Sequence, residues 1–376
     1  MKNTIIKKTL AVIAALSMLC SVGCGDSGDS SSNESPKTTA SSSDSSAAEN
    51  NETTEATGEP TEAPTEAVTE AVPELSEEDC KELEDKILAF IKGEITPEEF
   101  SDERLKYVTR LWINGGYGCD VNVDTYYLHA TRLTPQNLDK LFSELPSLES
   151  LGIFCLDFQN MDFISYVPNL TFLYMQECTG INIDALASLS ELTTLRLPYI
   201  EASDIGALSS LTNLRYLDLH GNNITDITSL SSLVNLIELN LDENEIENIN
   251  SLSPLTNLAV LNLSSSNISD ISPISSLINL KNLNLGGNQI SDISPLSHLV
   301  NITDLDIAIN DIKDISPVSS LTKLESLNLY ATEISDISPI SSLVNLKKII
   351  IRNNDNITQA DIEKLKQALP DCIIEN

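Results

Sequence analysis

The sequence predicts a solenoid in which a short strand and a short turn are stacked again and again. Three observations carry this. From Leu148 to about Asn354 the same residue types return every 22 residues, and a fixed period of this length means stacked supersecondary units. Each unit opens Leu-x-x-Leu-x-Leu, the period-two alternation of a strand with one buried face. The second half of the best-kept units reads Ile-x-Asp-Ile-Ser-Pro, as at Ile268–Pro273 and Ile290–Pro295, where Ser before Pro is a helix-start signal.

Ten units align on Leu148, Leu170, Leu192, Leu214, Leu236, Leu258, Leu280, Ile302, Leu324 and Leu346. Three residues beyond each strand's last leucine stands the column Leu156, Cys178, Ile200, Asn222, Asn244, Ser266, Asn288, Asn310, Thr332, Asn354. Inward-pointing Asn222, Asn244, Asn288, Asn310 and Asn354 are expected to form a ladder, because buried polar groups must be paired. The first three members lack Asn, so the N-terminal end is expected to turn differently. Ser272, Ser294, Ser316 and Ser338 precede prolines. Too few residues remain before the next strand for more than a single 3₁₀-type turn, with the serine as its N-cap. Asp204, Asp226, Asp270, Asp292, Asp314 and Asp336 form a further column. Carboxylates spaced one per unit do not converge on one ion, so they read as turn and capping residues, and neither a metal nor a cofactor is expected.

The form Leu-x-x-Leu-x-Leu-x-x-Asn-x-Ile-x-Asp-Ile-x-x-Leu-x-x-Leu over residues 148–357 resembles the leucine-rich repeats of the bacterial internalin class. The resemblance implies an α/β fold: a right-handed, curved solenoid with a parallel sheet on its concave face and short 3₁₀ turns on its convex face. It also implies recognition of another protein through the concave face.

A solenoid needs capped ends, since an open terminal repeat exposes its core. Residues 76–147 are expected to form the N-terminal cap. Ser76 to Ile91 has helical apolar spacing, Thr96-Pro-Glu-Glu99 is a capping box, and Thr134-Pro135 starts a helix to about Leu145. Val108-x-x-Leu111-x-Ile113 and Val123-x-x-Tyr126-x-Leu128 read as irregular first strands. Residues 358–376 close the other end with a helix from Thr358 to Leu369 and a last strand-like Leu369-x-x-Cys372-x-Ile374, which places Cys372 inside.

Residues 1–23 read as a targeting segment: Lys2, Lys7 and Lys8 precede an apolar run, Leu10–Leu19, too short to span a membrane. Ser21-Val-Gly-Cys24 resembles the bacterial lipoprotein cleavage box, which implies a lipid on Cys24; ordinary secretory cleavage is the alternative. Residues 24–75 are an acidic Ser/Thr/Pro-rich stretch that buries too little apolar surface to fold, a tether with a reach of roughly 40 Å as a coil. With no C-terminal wall-sorting motif in the sequence, anchoring is expected to fall to this lipid. That puts the chain on the outer face of the cytoplasmic membrane of a bacterium, Gram-positive in type. The chain has 56 acidic against 22 basic residues, a net charge of −34, which opposes nucleic-acid binding. Its cysteines show no Cys-x-x-Cys spacing, against a zinc site or redox pair.

Function is expected where the repeat is broken, at the third, fifth and seventh residues of each unit. There stand Phe172, Tyr174 and Arg196, then Tyr216, Asp218 and His220 with Tyr199 alongside, then Glu238 and Asp242, and further on Asp306, Tyr330, Lys348 and Arg352. Aromatic and Arg side chains on a rigid face make binding anchors. The alternative for the aromatic residues is packing under the N-terminal cap. His220 lies near Asp218 and Asp242, but no nucleophile, phosphate loop or metal spacing accompanies them, so an enzyme is not expected. The expected partner is a protein of a host or bacterial surface, with an envelope scaffold or carbohydrate-binding role as the rival.

Overall fold

A computed structural model describes residues 76–91, 94–114, 128–129, 135–158 and 160–376. The expected targeting segment, Cys24 and the tether lie outside the described residues, as does most of the expected strand at 123–128. The strands are β1 (Arg110–Asn114), β2 (Leu128–His129), β3 (Ser150–Phe154), β4 (Phe172–Gln176), β5 (Thr194–Arg196), β6 (Tyr216–Asp218), β7 (Glu238–Asn240), β8 (Val260–Asn262), β9 (Asn282–Asn284), β10 (Asp304–Asp306), β11 (Ser326–Asn328), β12 (Lys348–Ile350) and β13 (Ile373–Glu375). They form one thirteen-stranded sheet, about 58 Å long at about 4.8 Å per strand. Neighbours pair in parallel, and from β3 to β12 the register is one repeat: Leu217 faces Leu239 and Leu239 faces Leu261.

That register stacks like on like. In the unit from Leu258, the side chains of Leu258, Leu261, Leu263, Ile268, Ile271, Ile274 and Leu277 are all buried. Each contributes about 1.5–3 kcal/mol on burial. Strand residues between them are half-exposed, the alternation that the sequence shows. Single 3₁₀ turns such as Ser272–Ser276, Ser294–His298, Ser316–Ser320 and Ser338–Ser342 form the convex side.

The structure corrects how those turns are capped. The Ser-Pro serine lies inside the turn, with isoleucine before it and no side-chain cap from that residue. The aspartate two residues ahead of the serine caps instead: Oδ1 of Asp270, Asp292, Asp314 and Asp336 accepts the N–H of Ser272, Ser294, Ser316 and Ser338, each at 2.8 Å. Those backbone bonds hold the Asp270, Asp292 and Asp336 carboxyls below their ordinary pKa.

Each unit must turn off its strand, and it does so through a left-handed residue. Cys155, Glu177, Tyr199, Glu243, Ser265, Ile309, Ala331 and Asn353 share this column at φ of 49–58°, with Gly221 and Gly287 at 67°. Only glycine adopts such a φ without steric cost.

The N-terminal cap holds helices α1 (Glu77–Ile91), α2 (Pro97–Phe100) and α3 (Pro135–Ser143). Thr96 and Glu99 form a reciprocal capping box. Phe90 stacks on Phe100 at 4.1 Å, and Phe142 of α3 stacks on Phe163 at 4.7 Å, which joins cap to first repeat. Strand order departs from chain order here. β1 lies directly against β3, and β2 flanks the outer edge of β1. The last helix, α5 (Gln359–Ala368), follows a short helix in the second repeat, α4 (Ile183–Leu186), and is boxed by Thr358 and Asp361. The register at the C-terminal end differs from the sequence reading. Ile374, not Cys372, aligns with Ile349, so Cys372 sits before the strand and is only partly buried.

Candidate binding surface

Nearly every repeated polar column bonds the solenoid to itself. Asn222 Nδ2 donates to Leu197 O at 2.9 Å and Leu219 O at 2.8 Å, while its Oδ1 accepts from Ala202 N at 3.0 Å. Asn244, Asn288 and Asn310 repeat the pattern with the carbonyls 25 and 3 residues back and the amide 20 back. Asn354 accepts from Thr332 Oγ1 at 2.8 Å and donates to Leu329 O at 2.7 Å. Where the ladder lacks Asn, Leu156, Cys178 and Ile200 are buried apolar side chains. Burial pushes the Cys178 thiol up to about 12. The Ser266 hydroxyl is buried with no partner among the described residues.

Two further ladders are found only in the structure. Outside the strands, Asn213, Asn235, Asn257, Asn279, Asn301 and Asn345 each donate Nδ2 to the carbonyl 23 residues earlier, at 2.8–2.9 Å. The first three, Asn213, Asn235 and Asn257, line a shallow groove of about 750 Å³ on the strand-start flank together with Glu191, Thr193, Arg215 and Ile237. On the sheet face, Oδ1 of Asp218, Asn240, Asn262, Asn284, Asp306 and Asn328 accepts the backbone N–H two residues on, at 3.0–3.3 Å. Asp218 and Asp306, chosen from sequence as partner contacts, thus close their own strand ends. Asp218 commits one oxygen in this way, whereas Asp306 uses both, its Oδ2 accepting from Asn328 Nδ2 at 2.8 Å. An Asn/Asp column at the fifth position of the unit was the sequence signal.

The side chains that escape the repeat gather in three places. At the N-terminal end Trp112, absent from the sequence-based candidates, lies over Gly152, where an added Cβ would stand 2.1 Å from its ring. Trp112 packs against Phe154 at 5.7 Å, Phe172 at 5.8 Å and Tyr174 at 6.2 Å. The Tyr174 hydroxyl donates to Gln176 Oε1 at 2.5 Å. These rings therefore form one cluster with a side chain of β1. In the middle, Tyr199 meets His220 edge-on at 4.9 Å, and its hydroxyl donates to Glu243 at 3.2 Å. His220 Nδ1 lies 2.8 Å from Asp218 Oδ1. Burial opposes charge on His220, but the bond to Asp218 and the fields of Asp218, Asp242 and Glu243 outweigh it and raise its pKa above the ordinary histidine value. Burial also raises the Glu238 carboxyl, against an opposing pull from Arg196. Arg196 Nε is buried without a partner among the described residues. Ser264 Oγ donates to Asp242 at 2.6 Å. At the C-terminal end, Lys348 and Arg352 both pair with Glu375, at 3.0 and 3.3 Å, and Tyr330 Oη accepts from Asn353 at 2.8 Å. Among the described residues no group of three or more His, Cys, Asp or Glu could hold a metal.

The family model for leucine-rich repeats, in two copies, matches residues 212–255, 256–298 and 300–342. A search of curated proteins finds no match. Among solved structures, an internalin, inlF, from Listeria monocytogenes is 25% identical with a TM-score of 0.53, covering 78% of this chain and 94% of that one. A leucine-rich repeat protein of Leptospira interrogans is 18% identical with a TM-score of 0.53, covering 79% and 98%. The plant peptide hormone receptor RGFR1 in complex with RGF2 is 18% identical with a TM-score of 0.50, covering 67% of this chain and 49% of the receptor. Repeat register, ladders, sheet topology and these likenesses converge: the chain is a leucine-rich repeat protein of the bacterial type.

Proposed function

We propose that the chain is a surface-anchored binding protein that recognises another protein through the concave face of its sheet. One observation carries this reading. The ladders and turn caps commit the repeated polar columns to internal bonds. The half-exposed side chains that vary from unit to unit stand on the sheet face. Tyr216, His220, Glu238 and Asp242 in the middle and Tyr330, Lys348 and Arg352 beyond are presented on a rigid strand array. Rigid aromatic and charged groups bind at low entropic cost. The structural likeness to a receptor solved with a peptide hormone supports the same use of the fold. Attachment through lipid on Cys24 supplies the surface location in this reading.

The test is capture by the full chain from host-cell and bacterial surface extracts, against a Tyr216→Ala variant. Loss of a captured protein with a nearly unchanged thermal midpoint is expected. Recovery of a polysaccharide and no protein defeats the reading in favour of carbohydrate binding. A large fall in the midpoint shows that the Tyr216 ring serves the fold rather than a partner.

A further inference from the structure

The sheet face between β6 and β10 bears more carboxylates than cations among the described residues. Asp218 and Glu238 stand at one end, with Asp242 just beyond β7, and Asp304 and Asp306 stand at the other. Among the described residues only Asp218 of these has an ion-pair partner, the titratable His220. The cations farther along the face, Lys348 and Arg352, are held by Glu375. Arg196 in β5 is the cation whose charge pulls on Glu238. Between the two acidic ends, β8 and β9 present Val260, Asn262, Asn282 and Asn284, with Gly286 and the buried Ser264 just beyond them. These are short neutral side chains that leave a saddle.

Glu238 in β7 and Asp304 in β10 are three strands apart, about 14 Å at about 4.8 Å per strand. An extended peptide laid along the solenoid rises about 3.3 Å per residue, so its residues i and i+4 are about 13 Å apart. We propose that this face receives an extended segment of a protein partner carrying arginine or lysine at positions i and i+4, one on the Glu238 end and one on the Asp304 end. The residues between them lie over the saddle. The proposal rests on the concave-face reading and adds the chemistry of what is recognised. The chain's net charge of −34 speeds encounter with such a segment, while the two acidic ends set its register.

The experiment measures binding of the full chain to a labelled extended peptide with arginine at i and i+4, by fluorescence anisotropy at near-physiological salt. A second peptide of the same composition has its arginines adjacent. The Glu238→Gln/Asp304→Asn variant is compared with Glu247→Gln/Glu363→Gln, which removes as much charge from exposed sites off the sheet. Circular dichroism checks that both fold. The first variant is expected to lose at least about tenfold in affinity and the second less than about twofold, as for local against distant charges. The spaced peptide is expected to bind more tightly than the adjacent one. Equal losses in both variants, or no preference between peptides, overturn the proposal, because diffuse attraction then suffices. If the charge variant keeps a captured native partner that Tyr216→Ala loses, the cationic inference fails and the concave-face reading stands. If both keep it, both fail.

Discussion

Replacing Asn244 by alanine tests whether the asparagine ladder holds the solenoid together. The Asn244 side chain makes four bonds. Nδ2 donates to Leu219 O at 3.0 Å, to Leu241 O at 3.0 Å and to Asp242 O at 3.2 Å, and Oδ1 accepts from Ile224 N at 3.0 Å. Leu219 O keeps a second donor, Asn222 Nδ2 at 2.8 Å, so its loss is compensated. Asp242 O also accepts from Gly221 N at 2.9 Å. The Leu241 carbonyl has no such reserve, because the next ladder member is Ser266, and Asn244 Oδ1 is the acceptor of the Ile224 amide. Leaving a buried polar group unpaired costs about 1–3 kcal/mol, so two of them cost about 2–6 kcal/mol. Water entering the space left by the carboxamide moves the outcome toward the lower half, about 3 kcal/mol. With a guanidinium slope of about 5 kcal/mol per molar for a chain of this size, the midpoint falls by about 0.6 M. Equilibrium unfolding followed by circular dichroism reads this. Asn262→Ala is the control, since Asn262 lies half-exposed on the sheet face and its backbone bond there is within reach of water. A loss below about 1 kcal/mol for Asn244→Ala would falsify the view that the ladder satisfies otherwise orphaned backbone groups.

Ser266→Asn should do the reverse. The new carboxamide falls, by register, on Leu241 O, Leu263 O and Ile246 N, and a gain of about 1–3 kcal/mol is expected in the same assay; an unchanged or lower midpoint counts against it. Ile309 is a β-branched residue held at φ 52° and 56% exposed, so Ile309→Gly relieves strain with little lost packing. A gain of about 0.5–1 kcal/mol is expected by calorimetry, and destabilisation would show that the side chain packs more than its exposure implies. His220 has its pKa raised in the fold. Its contribution to stability is therefore fully present below the ordinary histidine pKa and is lost as pH rises through the raised value. NMR should find His220 titrating above the ordinary histidine range, and Asp218→Asn should lower that pKa. A titration unmoved by Asp218→Asn would show that the 2.8 Å contact does not form in solution.

Legibility in the sequence followed the kind of constraint each residue answers. Leucine and isoleucine columns were visible because burial demands one residue type at one spacing. The aspartate column was legible as turn and capping residues, and its bonds agree; the serine two residues on resembles an N-cap only because it precedes proline. The left-handed column was hidden. Cys155, Tyr199, Glu243, Ile309 and Asn353 share a φ rather than a side-chain type, and only Gly221 and Gly287 advertise it. The order of β1 and β2 could not be read either, since both strands have the same alternation and nothing local says which one meets β3.

The candidate surface divides in the same way. Its residues were identifiable as breaks in a pattern, because a repeat makes departures conspicuous. Their meaning depended on neighbours in space: Trp112 over Gly152, and Tyr199 against His220 and Glu243. Periodicity alone determined the solenoid, because stacking identical units needs only local self-similarity and buried leucines in register. Which polar side chains bond the backbone and which face outward was decided by tertiary structure. A bond to a carbonyl 25 residues away, or two carboxylates set three strands apart on one face, exist only once the units are stacked.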